Sequence, residues 1–218
     1  MIFTLTLLEQ LSAITSDQAT TLLDLMMKGG IIMIPIILLS LISVYLFIER
    51  VAYIRKLSAI DKGLVVSVLR ELKDGHQDKA LIHAQNNQAS VGRILESGIT
   101  QVGKPLGEVE KYLESTSNLE ISKMEKNTGY LGIIAGIAPM LGFVGTISGV
   151  IKIFYNISLA DNISIGIIAG GLYQKMICSG AGLIVGVLAY AAYHYIQMTI
   201  DRYSIRLQES LIQFLKAL

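Results

Sequence analysis

Apolar residues in this chain gather into three long blocks, separated by stretches where they recur at helical spacing among charged residues. The first block covers residues 30–48, with its apolar run at 31–48 between Gly29-Gly30 and Glu49-Arg50. The second covers 130–157 and the third 163–200. Each reaches the roughly 18–20 apolar residues that a helix needs to cross about 30 Å of hydrocarbon. The last two exceed it, which predicts helices that run on beyond the bilayer, because tilt absorbs only part of such an excess. A short loop at 158–162 joins them. Between the first and second blocks, residues 49–129 carry amphipathic patterns at 63–73, 78–85, 91–102 and 106–126. Gly75, Asn86-Asn87 and Gly103-Lys104-Pro105 punctuate them. Residues 1–29 show helical spacing as well, in Leu7, Leu8 and Leu11 and then Leu22, Leu23, Leu25 and Met26. The expected fold class is all-α: an integral membrane protein with three transmembrane helices, two of them long and extending into a cytoplasmic helical bundle.

Charge sets the orientation. Arg50, Arg55 and Lys56 follow the first block, Lys123 and Lys126 precede the second, and Arg202 and Arg206 follow the third. The opposite side has only Lys28 and Lys152, with Asp161 in the short loop. The positive-inside rule then places 49–129 and the C-terminal tail, 201–218, in the cytoplasm. The N-terminal arm falls outside, as a periplasmic amphipathic segment lying along the membrane surface. No basic leader with a cleavage site precedes the first block, so that block is read as a retained anchor.

Composition narrows the chemistry. Of the 218 residues, 52% are hydrophobic and 16% charged, which places the chain in the membrane class, and a net charge of +1 gives no reason to expect nucleic acid. Cys178 is the only cysteine, so neither an internal disulfide nor a cysteine-based zinc site is available. No nucleophile–base pair, metal-ligand cluster or phosphate-binding loop stands out, and the chain reads as no enzyme, with no cofactor and no metal.

The candidate site lies in the second and third blocks. Ala138-Pro139-Met140-Leu141-Gly142-Phe143-Val144-Gly145-Thr146-Ile147-Ser148-Gly149 holds a proline, glycines and hydroxyls where lipid favours leucine. Gly142, Gly145 and Gly149 fall at helical spacing and leave a groove that another backbone can approach closely. Pro139 removes one backbone hydrogen bond and predicts a kink. On the third block Lys175, Ser179, Gly182 and Gly186 form a stripe. Two readings of the hydroxyls of Thr146 and Ser179 stand side by side: helix packing with a bond to the i−4 carbonyl, or a water-lined path. Lys175 likewise reads either as a lysine snorkelling to the outer surface or as a cavity-facing charge, since a lysine at a helix centre costs about 2.5–3.5 kcal/mol on insertion scales. No carboxylate lies within any of the three blocks. Hydroxyls relay protons but do not store them, so a titrating acid for proton passage has to come from another polypeptide.

This arrangement resembles the MotA/TolQ/ExbB proton channel family, on its three-span ExbB/TolQ side. The segment from Ala138-Pro139 through Leu141-Gly142-Phe143-Val144-Gly145-Thr146-Ile147-Ser148-Gly149 is similar to the family's AP-x-LGLLGTVxG pattern, and Ser179-Gly180-Ala181-Gly182-Leu183 to its Thr-x-x-Gly-Leu. Tyr193 matches a tyrosine near the inner end. The chain departs from the family where Gln174, followed by Lys175, stands in place of a common glutamate. It also has Ser179 for threonine, Leu188 for a proline and His194 for an asparagine.

The resemblance implies a multi-pass protein of the bacterial inner membrane. It implies a homo-oligomer, a pentamer, whose second and third helices line a central cavity. There Thr146, Ser179, Gln174 and Lys175 would belong to the ion pathway, and Pro139, Gly142, Gly145, Gly149, Gly182 and Gly186 to helix packing and a smooth pore wall. In the cavity it implies a dimeric ExbD/TolR-type single-span partner carrying a membrane aspartate, and beyond it a TonB/TolA-like periplasm-spanning protein. Proton motive force would thereby drive work on the cell envelope, in TonB-dependent import or a Tol-like process. The alternative is a non-conducting scaffold of the same shape; a small transporter fits poorly, because no internal repeat or pair of broken helices is present. Proton and sodium fit the hydroxyls equally at this level.

Overall fold

The computed structural model describes residues 30–58, 62–159 and 165–216. The N-terminal arm and residues 160–162 of the short loop after the second block, both named above, lie outside the described residues, as do the side chains of Lys62, Ile167 and Gln174. Among the described residues the chain is all-α. Helix α1 is Met33–Leu57, α2 Lys62–Lys73, α3 Gln77–Gln85, α4 Ser90–Ile99, α5 Leu106–Glu125, α6 Thr128–Ser158 and α7 Ile165–Leu215. Three of the helical stretches are long and apolar enough to cross a membrane, and only 17–28% of their most apolar windows is buried within the chain. So much exposed hydrocarbon has to meet lipid or other protein helices, because a water-facing apolar surface of that extent is costly.

The chain divides into two units. One comprises Leu41–Ala135 and Val187–Leu218. Its core gathers Ile54, Val68, Ala84, Ile94, Leu95, Leu113 and Met124 around Ile196, Ile200, Tyr203, Leu207 and Phe214 of α7. The stops between its short helices are local chemistry. Helix α2 ends at Lys73, and the chain turns at Gly75, whose φ of +78° suits glycine. There His76 N–H donates to the Glu71 carbonyl at 2.8 Å and Gly75 N–H to the Leu72 carbonyl at 3.1 Å, satisfying the last carbonyls of the helix. Helices α3 and α4 meet so closely that a Cβ on Gly92 would stand 2.7 Å from the Ala84 carbonyl oxygen of α3, and 2.6 Å from that of Asn87 in the turn between them. Between α5 and α6 the break is confined to Lys126 and Asn127, and Asn127 takes φ +66°, a conformation asparagine tolerates better than most residues.

Helix α7 is where structure and sequence reading differ. The pattern ended the third helix at 200 and left 201–218 as a tail, whereas α7 runs unbroken for 51 residues to Leu215, about 77 Å at 1.5 Å per residue. Tyr203, Leu207, Leu211 and Phe214 continue the buried stripe begun by Ile196 and Ile200 at steps of three and four, so the helix keeps one face in the core after the block of continuous hydrophobicity has ended.

Candidate functional site

The other unit holds the described residues up to Ser40 together with Gly136–Gly186. Within it α6 packs on α7 through the residues singled out in the sequence. Ala138, Gly142, Gly145 and Gly149 are buried on α6, and Cys178 and Gly182 on α7. The approach is a backbone one. A Cβ on Gly182 would lie 2.5 Å from the Ala138 carbonyl oxygen and 3.1 Å from Gly142 Cα. One on Gly142 would lie 3.0 Å from Ser179 Cα. At Gly145 the space belongs to the Cys178 thiol, 2.8 Å from where a Cβ would stand, and at Gly149 to the methylene stem of Lys175. Farther along the pair, Ile153 fills the space over Gly171. Small residues at these steps let two membrane helices come together, and dispersion contacts along the seam hold them.

Polar groups sit on this seam. The Thr146 hydroxyl lies 3.2 Å from the Gly142 carbonyl, its i−4 neighbour, and 3.4 Å from the Lys175 carbonyl across the helix pair. Ser148 donates to the Gly145 carbonyl at 3.1 Å. Ser179 is half-buried and its hydroxyl has no hydrogen-bond partner among the described residues. Lys175 is half-buried too. Its stem covers Gly149 and its Nζ reaches to 3.6 Å from the position of a Cβ on Gly30, just before α1. No carboxylate pairs with it among the described residues. Gln174 belongs to α7, Pro139 is half-buried within α6, and Gly186 is buried.

Four of the glycines therefore serve the chain's own helix–helix contact. Gly142, Gly145, Gly149 and Gly182 each lie against the other helix of the pair. A Cβ on Gly136, Gly170 or Gly180, by contrast, would meet nothing beyond its own helix within 4 Å among the described residues. The sequence pattern contained no means of saying which chain supplies the opposing backbone.

A second polar cluster, in the bundle, went unmarked. Glu120 of α5 is nearly inaccessible, and it accepts from Arg93 Nε of α4 at 3.0 Å, from Arg93 Nη2, and from Lys123 Nζ at 2.6 Å. Burial pushes its carboxyl up, but the hydrogen bonds from Arg93 and Lys123 outweigh that and hold it below the usual carboxylate range. Tyr203 of α7 is fully buried, near Ser90, with a hydroxyl that no group among the described residues meets in hydrogen-bonding geometry. Burial pushes its phenol up to about 12. The signal available in the sequence was a glutamate on the apolar stripe of α5, at the step between Leu113, Ser117 and Met124. Its partner 27 residues away has no local signature.

Comparison with known proteins bears on the same helices. The family model described as the MotA/TolQ/ExbB proton channel family matches residues 86–209, more than half of the chain. A protein named as a biopolymer transport ExbB homolog from Methanothermobacter thermautotrophicus is 30% identical over 185 residues, 83% of this chain and 64% of its own length. The chain thus spans just under two thirds of that relative. The biopolymer transport protein exbB1 of Vibrio cholerae is 25% identical over 197 residues, 88% of this chain and 86% of its own. The Tol-Pal system protein TolQ of Haemophilus influenzae is 26% identical over 84 residues, 38% of this chain and 37% of its own. The family match takes in Thr146, Ser179 and the whole α6–α7 seam, and the three apolar helices accord with it: the chain belongs to the MotA/TolQ/ExbB proton channel family.

Proposed function

We propose that this protein is the multi-span subunit of an inner-membrane motor in which ion flow, of protons, drives work on the cell envelope. The observation that carries the reading is the α6–α7 seam, where the family's glycine and hydroxyl pattern sits in apolar blocks, 130–157 and 163–200, that contain no carboxylate. Thr146 keeps a hydroxyl within reach of a carbonyl on each helix, and that of Ser179 has no partner among the described residues. In this reading several copies, five by analogy with the family, form a ring with residues 49–129 and the end of α7 in the cytoplasm and the N-terminal arm in the periplasm. A dimeric single-span partner of the ExbD/TolR type supplies the membrane aspartate. Each elementary charge moving down 100 mV releases about 2.3 kcal/mol, and protonation of that aspartate converts the release into movement of the partner within the ring. A TonB/TolA-like protein then carries the movement outward.

The test is proton flux into vesicles that hold this chain with and without a single-span partner, and with the partner's membrane aspartate replaced by asparagine. Flux is expected only with the intact pair. Flux from this chain alone would refute the division of labour. Absence of flux alongside intact envelope work would favour the scaffold alternative, to which the absence of a carboxylate in the three apolar blocks also lends itself.

A further inference from the structure

The bundle unit leaves an open groove of 310 Å³ between α5 and the end of α7. Leu113 and Ile121 on one side and Leu207, Leu211 and Leu215 on the other make its walls apolar. Glu110 and Glu114 stand on its α5 side. Neither glutamate has an ion-pair partner among the described residues. The opposite flank of α7 carries Arg202, Arg206, Glu209, Gln213 and Lys216, at steps of four, three, four and three, all exposed and with Ile205 beside them, 58% exposed. No acid pairs with those cations among the described residues either. The same helix thus presents an acid-rimmed apolar groove on one side and, on the other, a ridge with three cations, one acid and a projecting isoleucine.

We infer that the ridge of one copy docks in the groove of the next, with Arg206 and its neighbouring cations against Glu110 and Glu114 and Ile205 against the leucines. A groove and a ridge on different faces make a head-to-tail contact, which closes into a ring when the rotation permits. Membrane insertion gives all copies one orientation. Ridge and groove belong to the same stretch of α7, so neighbouring copies bring them to the same height without any shift along the membrane normal. The opposed charges set register and exclude a groove-to-groove pairing, which would bring four glutamates together. This inference rests on the homo-oligomeric reading above and adds the surfaces that join the copies.

The experiment uses the full chain in native membranes together with its single-span partner. Glu114→Cys and Arg206→Cys are introduced singly and together and oxidised, and native mass spectrometry of the extracted complex counts copies. The double variant is expected to give a ladder of disulfide-linked copies that both single variants lack. In parallel, Glu110→Lys with Glu114→Lys is expected to lose the oligomer, and addition of Arg202→Glu with Arg206→Glu to restore it. That restoration requires pairing, since damage to folding would only accumulate. An intact oligomer with no ladder and no response to charge reversal overturns the interface and leaves the oligomer standing. A monomeric wild-type chain overturns the oligomeric reading itself, and linkage of the Glu114→Cys variant to a different polypeptide assigns the groove to another occupant and overturns the inference.

Discussion

Two glycines separated by a single residue on α7 offer the sharpest test of the seam. A Cβ on Gly182 would stand 2.5 Å from the Ala138 carbonyl oxygen and 3.1 Å from Gly142 Cα, both atoms of the α6 backbone. Comfortable contact for such atoms begins nearer about 3.5 Å, and neither can rotate away, so Gly182→Ala forces the helices apart by roughly 1 Å. A gap of that size already forfeits a quarter to a half of the attraction at each contact along the seam. It also breaks the Thr146 bond to the Lys175 carbonyl, which begins at 3.4 Å. A Cβ on Gly180 would meet nothing beyond its own helix within 4 Å among the described residues. Alanine gains about 0.8–1.0 kcal/mol over glycine in a helix interior, and that gain is common to both substitutions. The difference between the two variants therefore isolates overpacking, about 1–3 kcal/mol. Because the chain has no tryptophan, melting is best followed by circular dichroism of the detergent-solubilised protein. Gly182→Ala is expected to melt below wild type and Gly180→Ala at or above it. Equal midpoints, or a lower one for Gly180→Ala, would refute the packing of α6 on α7 described here.

Three further substitutions probe the polar groups. Thr146→Val keeps the shape and removes the hydroxyl. It is expected to cost about 0.6 kcal/mol, the average for an interhelical bond in a membrane, and to lower partner-dependent flux, with Thr146→Ser retaining it; a valine variant with full flux would remove the hydroxyl from the pathway. Glu120→Gln breaks the ties to Arg93 and Lys123 and is expected to destabilise the bundle by about 1–3 kcal/mol, measured by chemical denaturation. Because the folded carboxyl titrates below its unfolded value, its contribution is present above the ordinary carboxylate range. It fades as the pH falls through the folded value, so the gap between wild type and Glu120→Gln should narrow in acid and nowhere else. Tyr203→Phe removes a buried hydroxyl without a partner and is expected to be neutral or stabilising. Burial pushes the wild-type phenol up from 10 to about 12, so the folded state loses stability as the pH rises between those values. The phenylalanine variant should lack that alkaline loss.

Much was legible without coordinates. Three uninterrupted apolar blocks dictate three membrane helices, because hydrocarbon leaves the backbone no other way to satisfy its own polar groups. Gly142, Gly145 and Gly149 at helical spacing announced a close approach for the same local reason, and the pattern around them carried the family resemblance. Tertiary structure decided which surfaces meet. It assigned the glycines of the seam to contact between α6 and α7 of one chain, laid the Lys175 stem over Gly149, and carried α7 past the end of its apolar block on a stripe that interleaves with the bundle. Likewise, the pairing of Glu120 with Arg93 spans helices whose order along the chain says nothing of their facing. Periodicity reports which side of a helix is apolar, and only packing reports what that side touches.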